Sequence, residues 1–176
     1  GIHYNYNTML DEDNFISQKK QLSETFNPLQ IEFGRAHYLR FDNDNSFDFL
    51  EKMGIKLDES VGFPDNSSYR LTLAGVFRPI SKKKDRMLDL YEVPLSFMDS
   101  NMDVTTNGSY VTMCRQLSKI GGLISINFHP GSFNNPEKFQ LRGVYKAALE
   151  LAKELNFRCY LPSDIVKRLN SIIDSQ

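Results

Sequence analysis

The chain has 176 residues, 40 % of them apolar and 24 % charged, with a formal net charge of −1. That length is enough for one hydrophobic core without disulfide staples, so residues 1–176 are read as a single domain. The charge balance supplies no basic field for nucleic acid or an anionic membrane, and no stretch reaches the roughly 18–20 apolar residues that cross a bilayer.

In chain order, the first predicted helix is 11–26, "DEDNFISQKKQLSETF". It carries Phe15, Leu22 and Phe26 at helical spacing, acids in its first turn, and Asn27-Pro28 as a stop. "LQIEF" (29–33) reads as a strand, "NSFDFLEKM" (45–53) as a helix closed by Gly54, and "IKL" (55–57) as a strand ending at Asp58. Residues 59–109 are less regular, with strand-like pieces at 69–77 and 90–97; Pro94 speaks against a central ladder position for the second. The run "SKKK" (81–84) is read as a solvated loop. "SYVTMCRQLSKI" (109–120) puts Val111, Cys114, Leu117 and Ile120 on one helix face, and Gly121-Gly122 ends it. "LISINF" (123–128) is an apolar run of strand length before His129-Pro130. The strongest helical pattern spans 135–156, with Pro136 in its first turn and Phe139, Val144, Ala148, Leu151 and Leu155 as its apolar face. "RCYL" (158–161) reads as a strand and 163–174 as a closing helix capped by Ser163. The two cysteines, Cys114 and Cys159, lack metal-site spacing and are read as buried thiols. The polar N-terminus has no signal-peptide core; the compartment stays open, with the cytoplasm favoured.

Alternation of strand, loop and helix predicts an α/β fold with a largely parallel sheet, whose ligands collect at the carboxyl ends of the strands. The polar residues placed there are His3, Arg35, His37, Asp58 and His129, which include every histidine of the chain. Imidazole is a preferred zinc ligand, and a histidine held by a carboxylate can protonate a leaving group. Arg35 could equally pair with Asp42 or Asp58. Trp is absent, so a sugar ring would have to stack on Tyr or Phe; Tyr4, Tyr6 and Tyr38 could each serve the core or a sugar platform, with Tyr6 and Tyr38 taken as the substrate-binding candidates.

The segments "GRAHYLRF" (34–41), "GIKLDESVGF" (54–63), "EVPLSFMD" (92–99) and "GGLISINFHP" (121–130), in that order, resemble the polysaccharide deacetylase family, carbohydrate esterase family 4, with the NodB-homology fold. The resemblance implies a partial or distorted (β/α) barrel lacking its first strand or strands. It also implies hydrolysis of acetyl groups on a carbohydrate by water activated on zinc or another divalent metal. His3 matches the first histidine of the family's metal motif, and the second metal histidine falls on Asn7. Arg35 matches the arginine that orients the catalytic aspartate, and His37 stands where many members have proline. Tyr38 matches the aromatic residue whose backbone N–H helps form the oxyanion hole. Asp58 matches the acid that supports the last histidine, and His129 matches that histidine, the general acid, with Asn127 in place of the family's leucine. The expected catalytic group is therefore His129, Asp58, Arg35 and His37. The family's Asp-Asp motif precedes the position of His3, so the missing strands are expected from an upstream segment or a second chain. A relative that binds glycan without hydrolysing it is the alternative, favoured by Asn7.

Overall fold

The structure is a computed structural model that describes residues 1–26, 30–134, 136 and 140–175. Its elements run β1 (Ile2–Tyr4), α1 (Glu12–Thr25), β2 (Phe33–Ala36), a 3-10 turn at His37–Leu39, α2 (Ser46–Lys52), β3 (Leu57–Asp58), β4 (Ile80–Ser81), β5 (Arg86–Met87), β6 (Tyr91–Glu92), β7 (Leu95–Met98), α3 (Ser109–Ile120), β8 (Ser125–Asn127), α4 (Gly131–Asn134), α5 (Gln140–Glu154) and α6 (Pro162–Ile173). Backbone contacts group them into two compact units. None of the described helices is long and apolar enough to cross a membrane.

The first unit comprises Gly1–Val61, Val76–Val93 and Tyr160–Gln176. Its centre is an open, all-parallel sheet in the order β1-β2-β3-β6. Strand β1 alternates buried Ile2, exposed His3 and buried Tyr4, so its polar residue faces away from the core. Tyr4 and Phe15 stack with ring centroids 5.2 Å apart, and Phe15 meets Phe49 edge-on at 5.3 Å. Leu50, Ile55 and Leu57 are fully buried around them; each such side chain contributes roughly 1.5–3 kcal/mol by leaving water. Asp11 caps α1 by accepting the Asn14 N–H at 3.1 Å. Of the three apolar positions expected to bind that helix, only Phe15 is buried, and Phe26 is 63 % exposed.

The second unit comprises Gly62–Gly75 and Pro94–Cys159. Parallel β7 and β8 are joined through α3, and Phe97, Met102, Tyr110, Cys114 and Ala148 form the buried centre. Phe97 meets Tyr110 edge-on at 5.2 Å, and the Tyr110 hydroxyl donates to the Ala148 carbonyl at 3.1 Å, fastening α3 to α5. Val144, Leu151 and Leu155 of the predicted apolar face pack on this cluster. Phe139 and residues 135 and 137–138 of the predicted helix lie outside the described residues, as do Asn27, Pro28 and Leu29.

The α/β class and parallel pairing hold, but the ladders of the described residues do not close into a barrel. Several expected elements also differ. The strand expected at 29–33 lies instead at Phe33–Ala36, because Gly34 is the register partner of Ile2 and leaves room for the Tyr4 ring. Residues 69–77 form no strand; Thr72 bends the chain at φ 58°, and only Phe77 bridges antiparallel to Glu92. The run 90–97 breaks at Val93-Pro94, where the missing proline N–H interrupts the ladder and the chain passes between units. "RCYL" (158–161) pairs with no strand of the described residues: Cys159 is exposed rather than buried, and Leu161 precedes a helix opened by Pro162, not by Ser163.

Candidate functional site

In the four-stranded sheet every strand runs the same way, so His3-Tyr4, Ala36-His37, Asp58-Glu59 and Glu92 come to one edge. Behind that edge is a buried polar clasp. Asp58 Oδ1 accepts from the Tyr4 hydroxyl at 2.7 Å and from the Ser60 hydroxyl at 2.9 Å, and Oδ2 accepts the Ser60 N–H at 2.9 Å. Ser60 Oγ in turn accepts the Ala36 N–H at 2.8 Å, and Glu92 Oε1 accepts the Val61 N–H at 2.9 Å. Asp58 and Glu92 are register partners and lie within hydrogen-bonding reach of each other.

Two carboxylates so close in a buried site disfavour double ionisation. Burial pushes the Glu92 carboxyl well above the usual carboxylate range, and the charge of Asp58 adds to it. Burial also raises Asp58, but the bonds from Tyr4 and Ser60 pull it back. Of the two, Glu92 is raised further. Glu92 Oε2 is buried without a hydrogen-bond partner among the described residues. The Tyr4 phenol is raised well above its usual value by burial and by the anion beside it.

Arg35 pairs neither with Asp42 nor with Asp58. Its Nη2 lies 3.2 Å from Glu59 Oε2, and its Nε–H donates to the Glu59 carbonyl at 3.2 Å. Burial raises the Glu59 carboxyl against the pull of Arg35.

The exposed rim is aromatic. His3 meets His37 edge-on at 5.1 Å, His37 adjoins Tyr38 at 4.4 Å, and Tyr38 meets Tyr6 edge-on at 6.1 Å. The Arg40 guanidinium lies 4.5 Å over the Tyr6 ring and donates from Nη1 to the Tyr6 carbonyl at 2.6 Å. Tyr38 and Leu39 have φ of 57° and 50°, a left-handed pair without glycine; each such residue costs roughly 1–2 kcal/mol. Leu39 is buried, whereas Tyr38 is 71 % exposed. Asn7 lies exposed in the turn after β1. Among the described residues no three metal-ligating side chains come together. His3 and His37 supply two imidazoles, short of the three protein ligands that a catalytic zinc takes.

His129 belongs to the second unit. Asp99, directly after β7, is buried; His129, just beyond β8, has a side chain 55 % exposed. Asp99 Oδ2 accepts the His129 N–H at 3.0 Å, and its oxygens lie 3.1 and 3.2 Å from Nδ1. A carboxylate only accepts, so Nδ1 carries the hydrogen and Nε2 is left for chemistry. The acid that supports His129 is thus Asp99, whereas Asp58 is engaged by Tyr4 and Ser60. "EVPLSFMD" ends in this aspartate, and its place after a strand parallel to the one before His129 is the signal that would have found it. Glu92 gave no such signal, since one acid in an apolar strand does not announce a buried partner.

Compared with protein-family models, curated proteins and solved structures, the chain finds no match in any of the three.

Proposed function

We propose that the protein is a hydrolase of the polysaccharide deacetylase type, which removes acetyl groups from an acetylated sugar or polysaccharide and shares that family's distorted barrel. The carrying observation is the three-point hold of Asp99 on His129, which fixes the tautomer and leaves Nε2 able to move a proton. As water adds to the acetamide carbonyl, Nε2 accepts its proton; as the C–N bond breaks, Nε2–H returns that proton to the departing amine, giving acetate and an amino sugar. The two imidazoles of His3 and His37 do not make up a ligand set for the family's zinc. The order of the four quoted segments supports the same reading.

The test is acetate release from acetylated chito-oligosaccharides by the full-length protein, with and without added divalent metal. His129→Ala should lower the rate about 10²–10⁴-fold. Absence of acetate release under both conditions overturns the reading.

A second reading is glycan binding without hydrolysis. Asn7 at the expected position of a metal histidine and the exposed Tyr6 and Tyr38 favour it. Calorimetric binding of the same oligosaccharides without turnover would select it.

A further inference from the structure

Tyr38 stands out on the first unit's rim because its conformation and its exposure are both unfavourable. A left-handed backbone at φ 57° displays a ring that is 71 % exposed, while the next residue, Leu39, anchors the turn by burial. Strain of this kind persists where the displayed group serves a purpose. Beside it, Tyr6 is 51 % exposed and meets Tyr38 edge-on.

Arg40 completes the group. Its guanidinium is held over the Tyr6 ring and tied by Nη1 to the Tyr6 carbonyl. Arg35, five residues earlier, is spent on Glu59. Arg40 makes no ion pair among the described residues, and its Nε and Nη2 donors bond to none of them. Those two N–H groups form one edge of the planar fork, with the spacing that matches the two oxygens of a carboxylate. Stacking fixes that edge in orientation before any ligand arrives.

We infer that Tyr6, Tyr38 and Arg40 form a subsite for a sugar ring that bears a carboxylate. The C–H side of the pyranose packs on the exposed Tyr38 ring, Tyr6 stands edge-on beside it with Arg40 over its face, and the carboxylate takes the Nε–Nη2 edge of Arg40. The inference rests on the carbohydrate reading above and narrows it to acidic glycans.

The experiment is calorimetric binding to the full-length protein with two tetrasaccharides. One alternates glucuronic acid with N-acetylglucosamine; the other is the neutral N-acetylglucosamine tetramer. The acidic probe should bind about tenfold more tightly. Arg40→Gln should remove that preference, and Arg40→Lys, which keeps the charge but loses the fork, should remove most of it. Tyr38→Ala should weaken both probes. Thermal melts of the variants confirm that they fold. Equal binding of the two probes, binding of neither, or a preference that survives Arg40→Gln overturns the inference. Binding of the acidic probe without acetate release counts against the hydrolase reading alone; acetate release without a preference counts against this one alone.

Discussion

Asp99 holds His129 by its backbone and its ring at once, at 3.0 Å from the amide nitrogen and 3.1 and 3.2 Å from Nδ1. The two residues follow neighbouring parallel strands whose last pair is Met98 with Asn127, and Asp99 N–H donates to the Asn127 carbonyl at 2.9 Å. The ladder itself therefore sets the distance between acid and imidazole.

Asp99→Asn tests that arrangement. An asparagine has one acceptor oxygen for two N–H donors, so its amide nitrogen must face one of them. The expected result is a fall of about 10–100-fold in kcat for acetate release, with KM nearly unchanged. An equal change in both would mean that Asp99 serves binding rather than proton transfer.

The Asp58–Glu92 pair predicts an unusual pH dependence of stability. The Glu92 carboxyl is raised above its ordinary 4.5, so the folded chain binds the extra proton. That contribution is fully present below the unfolded value and is lost as pH rises through the folded one. Wild-type stability should thus decline above about pH 4.5. Glu92→Gln, which keeps a donor toward Asp58 without a titrating group, should decline less. Urea melts between pH 4 and 8 provide the comparison, and parallel curves for the two proteins would rule the shared proton out.

Tyr4 reaches Asp58 only because Gly34 has no side chain. A Cβ built at Gly34 lies 2.4 Å from the Tyr4 ring and hydroxyl, and Tyr4 is fully buried. Gly34→Ala should therefore cost about 1–3 kcal/mol by denaturant melt. Gly75→Ala, with nothing within 4 Å of the added carbon, should cost much less.

The reach of sequence reasoning follows the same physics. The bounds of helix α3 were legible to the residue, because Val111, Cys114 and Leu117 repeat at helical spacing and Gly121 takes φ 80° at its end, although Ile120, expected on the same face, is 80 % exposed. Strand β2 was not, because Gly34 has poor strand character and is selected by the Tyr4 ring, a neighbour distant in sequence. The candidate residues were found as strand-end polar groups, but their partners were not. Whether Asp58 serves Tyr4 or His129 depends on which strands adjoin, and that is decided by pairing rather than by local pattern. Tyr38's left-handed turn was likewise invisible, since nothing in "RAHYLRF" replaces the glycine such a turn prefers.

That turn gives a further prediction. Tyr38→Asn places a residue that tolerates φ 57° where a tyrosine is strained. It should raise stability by about 0.5–1 kcal/mol while weakening oligosaccharide binding. A loss of stability would show that the Tyr38 ring holds the rim together.

The lysine run at 82–84 is an exposed loop, as expected, and forms the turn of the β4–β5 hairpin. Lys82 meets Asp44 at 3.0 Å, Lys83 donates to Asn45 Oδ1 at 2.6 Å, and Lys84 meets Asp48 and Glu51 at 3.1 and 2.8 Å. Hydrogen bonds from Arg86, then from Lys84 and the Asp89 N–H, hold the Glu51 carboxyl down to about 2. Its contribution is present above the unfolded value and is lost as pH falls toward 2. Glu51→Gln should cost about 1–2 kcal/mol at pH 7, and the gap from wild type should close in acid and shrink in high salt.

The first unit draws on three separate stretches of chain, the last of which, Tyr160–Gln176, follows all of the second unit. Helix α6 lies in that stretch, and its Asn170 side chain accepts from the Tyr91 hydroxyl of β6 at 2.8 Å. During synthesis, then, the residues of the second unit leave the ribosome before the first unit can be finished. The parallel strands are made well before the helix whose Asn170 meets Tyr91, so that tie forms only when the last stretch of the chain has been synthesised.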